Sequence, residues 1–209
     1  MGLNQAPSFK KSFYHVKIKS LEVSSLQELG QRMDQLQRQA FLKTYGKIWD
    51  LTMIEVSVEA ITSLIQYYDQ PLSCFTFGDF QLVSTVEEFE RILGCPLGGR
   101  KLYLFFGLYP SMARIAKMHL EEKAKALADQ GEWASFINFL ALLVFGVVLF
   151  PNVDGLVDLA AIDVFLPYHN SKESPVVAML VDAYDTFDQR CEKRGARIVC
   201  CTPALYVWL

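Results

Sequence analysis

Between Trp133 and Phe150 the chain runs for 18 residues without one charged side chain. A segment this apolar has two stable fates: crossing a bilayer, or being wrapped on every side by other parts of a domain. Lys123 and Lys125 before it, with Asp154 and Asp158 after it, would suit a span whose N-terminal end is cytoplasmic. Against that fate, Ser135, Asn138 and Gly146 interrupt the run, Pro151 ends it abruptly, and its length sits at the bottom of the spanning range. The expectation is a buried core helix. A single-pass membrane anchor through residues 133–150 is the alternative.

The composition suits a domain able to wrap such a helix. Of the 209 residues, 52% are hydrophobic and 21% charged, which excludes a disordered or collagen-like chain. The 20 Lys and Arg against 23 Asp and Glu leave a net charge of -3, with no general attraction for a polyphosphate backbone. Residues 1–23 carry Lys10, Lys11, Lys17 and Lys19 among Phe9, Phe13, Tyr14 and His15, and read as a weakly ordered basic leader without the apolar run of a secretory signal. Weak nucleic-acid or acidic-lipid contact through this leader is a further alternative, resting on only four lysines. Met1-Gly2 does not read as an acylation site, because Ala6 stands where a hydroxyl residue is needed. Cys74, Cys95, Cys191, Cys200 and Cys201 are odd in number, form no C-x-x-C pair, and are expected as free, mostly buried thiols of an intracellular protein, nuclear or cytoplasmic.

From residue 24 the pattern predicts one compact, mainly α domain over 24–209 with a small β-hairpin at 73–83. Ser25 with Glu28 has the spacing of a capping box, followed by Leu26, Leu29, Met33, Leu36 and Ala40 as a single helical stripe weakened by Gly30. A second helix runs through Val56, Ala60, Ile61, Leu64, Ile65 and Tyr68 and stops before Pro71. Aromatic and β-branched residues flank Gly78-Asp79, the hairpin signal. Thr85 with Glu88 opens another capped helix, closed by Gly94 and Pro96. Further helices are expected from Ser111 through Met112, Ile115 and Met118 to Ala128, over 156–166, and from Ser174-Pro175 with Val177, Leu180, Tyr184, Phe187 and Cys191 on one face. Arg197 to Cys201 reads as a short strand or turn. Thr202-Pro203 starts a helix of about two turns, too short to stand without a partner surface. Its apolar end through Leu209 reads as the edge of a truncated product.

No residue is assigned a catalytic, cofactor-binding or metal-ligating role. His15, His119 and His169 have no carboxylate, thiol or second histidine at ligand spacing, and no nucleotide-binding, nucleophile-elbow or zinc-protease pattern occurs. Gly98 and Gly99 before Arg100-Lys101 read as a plain turn rather than a phosphate cradle. Asp182, Asp185 and Asp188 along one helix, and Asp154, Asp158 and Asp163 after the apolar run, are the acid groupings that would serve a divalent ion. A solvated face is the simpler account of both.

Several ordered words of the chain resemble a known family. Phe41-Leu-Lys-Thr-Tyr45-Gly46, Gln66-Tyr-Tyr-Asp69-Gln-Pro71, Cys74-Phe-Thr-Phe77, Thr85-Val-Glu-Glu-Phe89 and Leu93-Gly94-Cys-Pro96 are similar to the plant mobile domain family, in an uncharacterised branch linked to retrotransposon-derived sequences. The likeness continues through Tyr109 to Arg114, Trp133 and Phe136, Gly146 to Pro151, and Arg197 to Leu209. It implies a mainly helical domain with a small hairpin, no established catalytic residues and no cofactor. The role implied is a non-enzymatic scaffold with an unidentified protein partner. Relatives carry a longer polar segment between the counterparts of Lys117 and Leu120 and continue past the counterpart of Leu209. The expectation is therefore an incomplete domain.

Overall fold

The computed structural model describes residues 16–95, 114–193 and 195–209. Its first element falls inside the expected leader: β1 (Lys17–Ile18) pairs in parallel with a strand near the other end of the chain, and Val16 and Lys19 are buried. The ordered domain therefore begins before residue 24, because an apolar Val16 and Ile18 have a neighbouring strand to cover them. Residues 1–15 lie outside the described residues.

The single stripe expected from Leu26 to Ala40 is two helices. α1 (Ser24–Gln31) has Val23 at its N-cap and no side-chain cap, so the Ser25–Glu28 spacing is not a capping box here. The box belongs to α2 (Gln35–Tyr45), where Asp34 accepts from the Gln37 amide and the Gln37 side chain accepts from the Asp34 amide. That local pairing stops α1 and restarts the helix, turning Leu36 to solvent at 75% exposure. Gly30 is there for space: a Cβ would collide with the Trp49 ring. A 3-10 turn (Asp50–Met53) leads to α3 (Val58–Ile65), capped by the Ser57 hydroxyl on the Ala60 amide.

The hairpin is the larger part of a three-stranded antiparallel sheet. β2 (Tyr68–Asp69) pairs with β3 (Cys74–Phe77), which pairs with β4 (Phe80–Leu82) across the Gly78-Asp79 turn. Gly78 has φ of 46°, the left-handed region this tight turn requires. The expected capping box of Thr85 and Glu88 opens α4 (Val86–Leu93), and Gly94 closes it at φ 64°. Residues 96–113, with Gly98 to Lys101 and the start of the helix expected from Ser111, lie outside the described residues.

After them the helix expected through Ile115 is first a strand. β5 (Arg114–Ala116) runs into α5 (Lys117–Asp129), and Gly131 turns the chain into α6 (Trp133–Val144), which continues as a π-helical turn over Phe145–Leu149. β6 (Leu156–Asp158) pairs antiparallel with β5, so the helix expected from Leu156 begins three residues later, as α7 (Leu159–Ser171). α8 (Val176–Glu192) starts behind Pro175 as expected. Phe187 is buried on it, whereas Cys191 is exposed. β7 (Arg197–Ile198) pairs with β1, and α9 (Thr202–Trp208) follows.

The charge-free run is interior. α1, α2, α5 and α7 pack around α6, and Phe136, Leu140, Ala141, Leu143, Val144, Phe145, Val148 and Leu149 have no exposed surface. Among the described residues no helix is long and apolar enough to cross a membrane. Gly146 lets β6 approach, since a Cβ there would overlap the Val157 methyls. The apolar end of the chain also has a surface to lie on: α9 packs on α3 and α4, with Thr202 to Leu205 buried.

Candidate functional site

The candidate chemistry groups are spread apart or held by structural partners. Asp188 accepts from the Tyr68 hydroxyl at 2.8 Å, and Asp185 accepts from Gln189 on the next turn at 2.6 Å. Asp182 differs from the solvated residue expected: its Oδ2 is buried with no hydrogen-bond partner among the described residues. In the second grouping Asp154 pairs with Lys19, Asp158 takes the Arg114 guanidinium at 2.8 Å, and Asp163 points outward. Three or more metal-binding side chains come together nowhere among the described residues. Of the leader's lysines within the described residues, Lys17 is exposed, while Lys19 is buried and tied to Asp154.

Four of the five thiols are buried and Cys191 is exposed. Burial pushes Cys95 up to about 11 and Cys201 up to about 12, and Cys200 well above the usual thiol range, so these stay protonated at neutral pH. Cys95 also lies 3.6 Å from the Tyr168 hydroxyl. Such thiols fill the core, as expected.

One buried polar node escaped the sequence reading. The Tyr45 hydroxyl on α2 donates to Asn138 Oδ1 on α6 at 2.8 Å and lies 2.7 Å from His169 Nδ1 on α7. Its single proton is committed to Asn138, so the His169 contact requires Nδ1–H as donor. Burial raises the Tyr45 pKa further above its ordinary value and keeps the phenol intact. The Lys172 ammonium sits 5.6 Å and 5.8 Å from the Tyr45 and Tyr168 ring centres and donates to the Thr44 carbonyl. Three helices are thereby locked together. Asn138 was the available signal, because an amide inside an apolar run must find partners.

Two of the concavities lined by described residues are large enough to seat a side chain. A cleft of about 220 Å³ lies between Ile18–Val23 and Leu51–Val58, closed at one end by Thr202 and Pro203. A groove of about 200 Å³ runs beside α2, with Met33, Phe41 and Trp49 as its floor, Leu42 as its lip, and Arg38 and Asp50 at its border. Leu42 is 52% exposed. The α2 groove thus combines an apolar floor, an exposed leucine and one charge of each sign, the ingredients of a shallow protein-docking surface. Sequence periodicity missed it by reading Met33 and the start of α2 as one continuous stripe.

A family model described as Domain of unknown function (DUF7745) matches residues 26–119 and 116–209, and these stretches contain the words on which the resemblance rests. They meet at Ala116 to His119, where β5 passes into α5. No curated protein and no solved structure matches the chain. With an α-rich fold and a match over most of its length, the chain belongs to the DUF7745 family of domains of unknown function.

Proposed function

We propose that this domain is a non-enzymatic interaction module of mobile-element descent, in the branch related to plant mobile domains, working in the nucleus or cytoplasm and docking a protein partner on α2. Leu42, 52% exposed at the lip of the α2 groove, is the observation that carries this reading. An isolated exposed leucine needs no explanation, but one at the lip of an open apolar floor favours a partner side chain seated there. The descent rests on the resemblance alone. The engagement of candidate acids and thiols in the fold supports a holding role rather than a reaction.

The test places a photoreactive amino acid at Leu42, and separately at the exposed Asp163, in the full chain expressed in cells. The expected result is a discrete protein adduct from position 42 that is missing from position 163. Equal adducts from both positions, or adducts to nucleic acid, overturn the reading.

A further inference from the structure

Beneath the three-stranded sheet Phe75 is fully buried between Tyr68, at 5.5 Å, and Phe187, at 5.7 Å. Two residues further along β3, Phe77 is only half-buried, and its cross-strand partner Phe80 is 60% exposed. Strand alternation puts Phe77 and Phe80 on the same face as Phe75, so the aromatic row runs out of the core into solvent. Its outer rings remain aligned. Tyr67 lies 4.5 Å from Phe77 with 28° between the ring planes, and Phe77 lies 5.2 Å from Phe80 with 17°. Near-parallel rings that end on an exposed one form a stacking platform.

Two kinds of planar group stack on such rings, a nucleic-acid base and an arginine guanidinium. Charge decides between them. From Ile48 through Glu90 the chain carries eight acidic residues and no Lys, Arg or His. This stretch builds α3, the whole sheet and most of α4, and within it Asp50, Glu55, Glu59, Asp79 and Glu87 are exposed. Asp79 stands in the turn that joins Phe77 to Phe80. The nearest part of α8, packed on the turn Gln70–Leu72, brings Arg190 but with it Asp185, Asp188 and Glu192. A polyphosphate strand is repelled by such a field, and a guanidinium is drawn into it. Arginine also offers the ring a flat face that the compact ammonium of lysine lacks. β4 is the outer strand of the sheet, so an extended segment can lie along it with alternate side chains over the rings.

We propose that the Phe77–Phe80 face of the hairpin docks an extended, arginine-bearing peptide of a partner protein, with one guanidinium stacked on Phe80 and held by Asp79. This face shares no residue with the α2 groove and does not depend on it.

Fluorescence anisotropy with the full chain and a labelled peptide of alternating Arg and Val tests this, beside the matching Lys–Val and Glu–Val peptides and oligothymidylate. The Arg peptide should bind most tightly, the Lys peptide several-fold more weakly, and the Glu peptide and the oligonucleotide not at all. Phe80→Ser should weaken the Arg peptide by about fivefold, whereas Phe80→Tyr, which keeps the ring, should not. Asp79→Asn should weaken it by about twofold and reduce its sensitivity to salt, and Asp163→Asn on α7 should leave it unchanged. Equal binding of the Arg and Lys peptides overturns the proposal, as does an affinity that Phe80→Ser leaves intact or Phe80→Tyr equally destroys. Oligothymidylate binding that needs Phe80 overturns it in favour of a base platform. Should Phe80→Ser fail to fold, Asp79→Asn carries the test, since Asn suits the same turn. A loss no greater than that of Asp163→Asn then sinks the assignment.

Discussion

The core around α6 and the core beneath the three-stranded sheet bury similar side chains but assemble them differently. The first is one helix without a charged side chain, with α1, α2, α5 and α7 as its sleeve. The second draws Val16, Ile61, Phe75, Phe187, Ile198 and Leu205 from six separate elements or segments, of which only α8, β7 and α9 follow one another in sequence. Aromatic edges hold it together: Phe187 meets Tyr68 at 5.2 Å and Phe75 at 5.7 Å, and Tyr184 at 5.8 Å. Tyr184 and Trp208 touch both cores and are the seam between them. The first core is organised by one central helix that gathers both near and distant partners, whereas a core built from short scattered pieces has no such organiser and depends on each long-range contact holding.

This contrast is most sharply tested by removing a large ring from each side. Phe145→Ala, at the fully buried turn of the first core, should cost about 3–5 kcal/mol in denaturant unfolding and weaken the whole domain. Phe187→Ala should cost a similar amount, but its loss of exchange protection should be confined to β2 to β4 and residues 197–208. Global loss from both would mean that the two cores are one cooperative unit.

The next effect lies where the two cores meet, on α8. The Asp182 pKa is about 7 in the folded chain against an ordinary 3.8, so the stability it contributes is complete below about pH 4 and declines as pH rises to about 7. The loss amounts to at most about 4 kcal/mol. Asp182→Asn should match the natural chain at pH 4 and exceed it in stability at pH 8, as read from thermal unfolding at each pH.

A smaller effect probes the sleeve of the first core. Gly30→Ala removes a helix-weakening glycine but drives a methyl into Trp49, and overpacking should win by about 1–3 kcal/mol. A more stable variant would show that Trp49 is free to shift. Smallest of all, Thr85→Ala removes the α4 cap at the seam and should cost about 1 kcal/mol in the same measurement.

The first core was largely legible in the sequence because its signal is periodic and continuous. The charge-free run marks α6, Pro151 marks its end, and Thr85, Glu88 and Gly94 bracket α4 by local chemistry alone. Where the reading failed, either an overlooked local cap or a nonlocal partner decided. Leu36 fits the stripe of α1 but lies beyond the break that Asp34 and Gln37 create. β1, β5, β6 and β7 are two or three residues each, too short to show alternation, and exist because a partner strand is present. Of the candidate site, the groove follows from the same break at Asp34, while the Tyr45–Asn138–His169 node joins residues up to 124 apart in sequence. Asp182 fits the spacing of an outward-facing row; only the fold turns one of its oxygens away from water.

The pairing of Lys17 with Arg197 also constrains how the molecule is made. A ribosome delivers the chain from its N-terminal end, so Val16 and Ile18 emerge about 180 residues before the strand that covers them. During that interval these side chains have no native neighbour on β7, and the helical sleeve around α6 has time to close first. Vectorial synthesis thus imposes an order of assembly, with the junction of the two distant ends as the closing event.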